Sequence, residues 1–143
     1  MWNRENFKKE MSNKGIEILY WGEYGREALL DLEKELDFKF DKETRSFIEE
    51  IGNLVIGGHE IVTTGKAGGL CNCKTESKEI GLLDKKRAEK GIKIMDSSGL
   101  SYILYEDGSI KAYEHVYISP DGVVFSYDSL SKLIEEIIEE INE

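Results

Sequence analysis

The stretch WGEYGREALLDLEKELDFKFDKETRSFIEEIGNLVIGGHEI, residues 21–61, decides the fold. Two glycines, Gly22 and Gly25, break the chain before a helical pattern that starts at about Glu23 or Tyr24. Leu29, Leu32 and Leu36 form its apolar stripe, and Glu27, Asp31, Glu33, Lys34 and Glu35 fall mostly on the wet side. After Phe38-Lys39-Phe40, Asp41 stands where a helix needs an acceptor for its free backbone donors. Thr44, Phe47, Ile48 and Ile51 follow at i, i+3, i+4 and i+7, and Gly52-Asn53 supplies a stop. The apolar run Leu54-Val55-Ile56 then enters a sheet. Two short tandem helices, a sharp stop and a strand are therefore expected. Nothing in this stretch resembles a nucleophile, a metal cluster or a phosphate cradle, which points towards a binding protein and away from an enzyme.

The pattern extends in both directions. Residues 3–13 read as a helix ended by Gly15. Ile16, Ile18 and Tyr20 suggest an extended piece. Residues 53–56 and 60–64 read as strands joined by Gly57-Gly58. Residues 65–72 read as a loop. Residues 75–90 read as a further helix, with acids in its first turn and bases in its last, as the helix dipole favours. From Ile92 the period becomes two. Asp107-Gly108, between residues 102–106 and 109–114, is a strong hairpin signal. Pro120-Asp121-Gly122 marks a second turn between strands at 116–119 and 123–127.

The last helix is the clearest element. Asp128 or Ser129 caps it, and Leu130, Leu133, Ile134, Ile137, Ile138 and Ile141 form an unbroken apolar stripe. Its outer face carries Glu135, Glu136, Glu139, Glu140 and Glu143. Like charges at i, i+4 and negative charge at a helix C-terminus are both unfavourable, so packing of the isoleucine face must hold this helix. The glutamates read first as a solvated face and second as a partner surface. The stripe also offers a face for a second copy, so a homodimer is a further expectation.

The 143 residues fit one domain, 1–143, of class α+β: N-terminal helices and a C-terminal helix packed on a mainly antiparallel twisted sheet. No apolar run reaches the roughly 20 residues that cross a bilayer, and the first residues lack the apolar core of a signal peptide. A cytoplasmic location is expected. The two cysteines, Cys71 and Cys73, are too close for a framework disulfide. The formal net charge of −10 disfavours nucleic acid and anionic lipid and favours a basic protein partner.

Several residues were weighed as sites. Cys71, Cys73, His59 and His115 are a conceivable zinc set, but the Cys-x-Cys spacing is tight and the histidines are isolated, so no metal and no cofactor is expected. His59-Glu60 is an acid-base pair on paper and a polar strand start by the simpler reading. No catalytic residue is assigned: neither a Gly-x-Ser-x-Gly elbow nor a Walker loop occurs, and 65–69 reads as a glycine-rich loop. Trp21, Glu23, Tyr24, Glu60 and Tyr113 are the expected partner surface, because aromatics anchor interfaces at low entropic cost.

In order along the chain, Gly25, the helix through Leu32-Glu33 and Leu36, Asp37-Phe38-Lys39-Phe40, Phe47-Ile48, Gly52-Asn53, Tyr105-Glu106-Asp107-Gly108 before Ile110, and Tyr127-Asp128-Ser129-Leu130 opening a terminal helix resemble the SUKH superfamily. Its bacterial members are immunity proteins, and it includes a yeast cell-wall regulator. One departure is Phe40-Asp41, where family members usually carry Leu-Pro; aspartate still starts a helix. The resemblance implies a bacterial protein of a polymorphic toxin system that binds and neutralises a cognate toxin, in many cases a nuclease with a basic groove. Two alternatives stand beside it: a regulatory protein-interaction scaffold of the same fold, and a small metal-binding protein or enzyme.

Overall fold

The computed structural model describes residues 1–64, 90–114 and 122–143. The expected helix at 75–90 (all but Lys90), the loop at 65–72, the strand at 116–119, and Pro120 and Asp121 lie outside the described residues. In chain order the elements are α1 (Arg4–Asn13), β1 (Ile18–Trp21), α2 (Arg26–Leu36), α3 (Lys42–Glu50), β2 (Asn53–Ile56), β3 (His59–Ile61), β4 (Gly91–Ser97), β5 (Leu100–Tyr105), β6 (Ile110–Tyr113), β7 (Val123–Tyr127) and α4 (Leu130–Ile141). The fold is α+β, as expected.

Helix boundaries follow from caps. Asn3 opens α1 by accepting from the Asn6 amide. Gly15, at φ 70°, ends it, while the Gly15 and Ile16 amides donate to Ser12 and Met11. That pair of bonds is a Schellman stop, and Ile16 and Met11 bury together beneath it. Asp37 closes α2 in the left-handed conformation, and the Asp41 carboxylate accepts from the Thr44 amide to open α3.

The strands form two antiparallel sheets, β1-β2-β3 and β4-β5-β6-β7. The sheets touch at β3 and β4, where the Val62 amide donates to the Ile94 carbonyl and Ser97 Oγ lies 3.0 Å from His59 Nδ1. Three tight turns shape the meander. Gly57-Gly58 and Ser98-Gly99 each place two successive residues at positive φ, the geometry that matches strand twist. The Ser98-Gly99 turn was not anticipated from sequence. At the Asp107-Gly108 turn, the Asp107 carboxylate accepts from both the amide and the hydroxyl of Ser109. Strand β3 ends at Ile61, short of the expected Thr64. The reason is chemical: the Thr63 and Thr64 amides turn aside to the Asn53 side chain, at 2.8 and 3.0 Å.

Among the described residues, the four helices pack on the sheets through one principal core. The principal core joins Phe7 and Met11 of α1, Leu29, Leu32 and Leu36 of α2, Phe47 and Ile48 of α3, and Leu130, Leu133, Ile134 and Ile137 of α4 to Leu54, Ile56, Ile61, Ile92, Leu104 and Ile110 of the sheets. Phe38 and Phe40, from the α2–α3 connection, stack edge to face at 4.9 Å in the same core. The opposite face carries a second, smaller cluster of Ile103, Tyr105 and Tyr113 with Val123. Among the described residues no helix is long and apolar enough to cross a membrane.

A candidate protein-binding surface

The end of β1 brings together three of the residues expected at a partner surface. Trp21 is half-buried against Val62. Gly22 then turns at φ 76°, directly over the Asn53 amide, where a Cβ would lie 2.1 Å from Asn53 Nδ2. Glu23 is exposed, and its carbonyl accepts from the Thr64 hydroxyl. Tyr24 is half exposed, but one face of its ring is occupied: the Arg4 guanidinium sits 3.8 Å from its centroid and 4.4 Å from that of Tyr20. Arg4 also donates to the carbonyls of Glu50 and Ile51 at the end of α3. A cation there meets the negative end of the helix dipole and satisfies carbonyls without helical partners. Arg4 was not singled out from sequence. Its partners lie 16–47 residues away, and only folding assembles them.

The other two expected residues stand elsewhere. Glu60 is half-buried on β3, in the cross-strand row of Val55 and Leu19, on the face away from the helices. Tyr113 corrects the expectation of a surface anchor. It is 6% exposed, and its hydroxyl lies 2.6 Å from that of Tyr105. It also sits on β6, in the four-stranded sheet, whereas β1 belongs to the three-stranded one. Trp21, Glu23 and Tyr24 therefore form one patch, and Tyr113 does not belong to it.

Of the candidate metal ligands, His59 contacts Ser97. Cys71, Cys73 and His115 lie outside the described residues. Among the described residues no three His, Cys, Asp or Glu side chains cluster as a metal site would require.

A second surface arises where β7 meets α4. Ser129 caps α4 by accepting from the Lys132 amide, and the Glu43 carboxylate of α3 accepts from both the amide and the hydroxyl of Ser131. An anion at that position suits the helix dipole. It also fixes how α4 leaves the strand. With Leu130, Leu133, Ile134 and Ile137 buried, Glu135, Glu139 and Glu140 project into solvent, and Ile141 at the helix end is exposed. A groove of about 450 Å³ lies between strand end and helix, lined by Tyr127 and Asp128 on one side and Lys132, Glu135, Glu136 and Glu139 on the other. Four carboxylates thus face one ammonium, which is itself paired with Glu135 at 3.5 Å.

The tyrosines of this region register its field. Burial pushes the Tyr127 hydroxyl well above the usual range, and its hydrogen bond to Glu136 and that carboxylate's charge add to the shift. Tyr102, stacked on Tyr127 at 6.3 Å, is raised by burial first and by Glu140 and Glu136 after it. Further back on β7, Val124 and Phe125 are 48% and 46% exposed. The sequence marked the glutamates, but as a solvated face first. The juxtaposition of β7 with them depends on tertiary packing.

A scan of protein-family models finds no match to this chain, and a search of curated proteins likewise finds none.

Proposed function

We propose that this chain is a non-enzymatic binding protein that neutralises a basic protein partner by covering its working surface, the immunity role implied by the SUKH resemblance. The observation that carries the reading is the acidic face of α4. Its glutamates lie at spacings that weaken an isolated helix, yet Glu135, Glu136 and Glu139 stand together with Asp128 on one groove that the end of β7 also lines. A solvated face gains solubility from scattered charge, whereas a docking face gains from charge concentrated beside an apolar anchor.

A toxin that grips nucleic acid must present a basic groove. An acidic partner is steered to such a groove, and the apolar contacts then set how long it stays. The test is co-expression in a bacterial host with a toxin encoded beside this chain. Survival of cells carrying both, and death of cells carrying the toxin alone, is the expected result. Death of both at matched expression would overturn the reading.

A further inference from the structure

We infer that the edge of β7 away from β6 and the outer face of α4 together seat an extended, basic segment of the protein partner. The inference takes the partner's nature from the neutralising role and adds to it where and how the partner docks. Among the described residues β7 pairs on one side only, with β6. A strand with an unpaired side offers backbone donors and acceptors to another chain. The register slips between Ala112 and Tyr113, which leaves Val124 without a cross-strand partner. The bulge sets two successive apolar side chains, Val124 and Phe125, out to solvent, each about half exposed.

Charge selects the occupant. The groove alongside places Asp128, Glu135, Glu136 and Glu139 next to this edge. An acidic or neutral segment gains nothing there, and a basic one gains at each of these carboxylates. The spacing is also compatible. Glu135 and Glu139 are one helical turn apart, about 6 Å along the axis. Alternate side chains of an extended segment are about 6.8 Å apart and face the same way. A segment alternating basic and apolar residues therefore sets its cations over the helix and turns its apolar residues to the opposite face. Lys132 already pairs with Glu135, and the Tyr127 hydroxyl bonds to Glu136, so a basic segment competes for these two carboxylates and meets Asp128 and Glu139 beside them.

The probe is a synthetic nine-residue peptide alternating lysine and valine, with a glutamate-valine peptide as control. Backbone amide shifts and hydrogen exchange of the whole chain report where it binds. Perturbation and slowed exchange confined to 123–128 and 132–139 is the expected result. In E135K/E139K, affinity should fall at least about tenfold, as reversal of rim charges does. Both glutamates are exposed, and a thermal melt confirms that the variant folds. Binding that maps to another edge, that is unchanged in the variant, or that is absent at millimolar peptide overturns the inference. Full rescue of toxin-exposed cells by E135K/E139K would overturn the docking site alone. Failure of the unaltered chain to rescue, with the peptide still on β7, would overturn the neutralising role alone.

Discussion

Asn53 holds together the corner on which the β1 patch stands. Its side-chain oxygen accepts from the Thr63 and Thr64 amides, its Cα partner across the ladder is Trp21, and Gly22 packs on its amide group. Asn53→Ala should strip two buried amides of their acceptor and cost about 2–4 kcal/mol, read from urea unfolding. Retention of full stability would mean that water replaces the side chain. Tyr127 makes a prediction of opposite character. A tyrosine whose folded pKa is raised contributes stability that is complete below its unfolded value of about 10 and is lost as pH climbs above it. Melting temperature should therefore decline from about pH 10 upward, more steeply for the native chain than for Tyr127→Phe. Equal alkaline slopes would contradict the placement of Glu136 beside that hydroxyl. The sequence pointed to Gly52-Asn53 as a helix stop, which it is, because a stop is a local property. It could not reveal that Asn53 also receives a strand end ten residues later, and it placed Tyr113 at a surface because aromatic identity does not encode burial.

Elements were legible to the degree that their determinants are local. The isoleucine stripe of α4, the Asp41 cap and the Asp107-Gly108 turn all appear as read, since each rests on residues within a few positions. The Ser98-Gly99 turn was missed because serine rarely adopts positive φ, and here it does so at 52°. What locks the elements to one another was not legible. The Glu106 carboxylate accepts from the Lys39 amide across 67 positions, and Glu43 accepts from Ser131 across 88. Glu33 bridges the Phe40 amide and the Arg45 guanidinium, which fixes the short connection between α2 and α3. Glu43→Ala should remove an acceptor from the first turn of α4 and lower stability by about 1–2 kcal/mol, with the loss visible as faster amide exchange in residues 130–134. An unaltered exchange pattern would show that Ser129 alone suffices to start the helix.

At the scale of the molecule, the described residues form four helices packed on a three-stranded and a four-stranded antiparallel sheet, and β1 and β7 are edge strands of those sheets. In the proposed docking, the net charge of −10 would act at long range, while Val124, Phe125 and the α4 glutamates would act at contact. Those ranges separate experimentally. Association with a basic partner should slow about tenfold or more between roughly 0.02 and 0.3 M salt, with dissociation changing far less. A rate indifferent to salt would remove steering while leaving the contact surface in place. The class α+β and the acidic character were open to reading because composition and periodicity carry them. The proposed partner surface was open only in part, since an edge strand and one helix would have to meet in space to make it.

The most direct test is a titration of the neighbouring toxin's own activity with the purified chain. Loss of activity should be complete at one chain per toxin, and high salt should restore it with neither protein changed in mass. Complete inhibition at a small fraction of an equivalent, or a covalent change in the toxin, would contradict a protein that acts by occupying a surface.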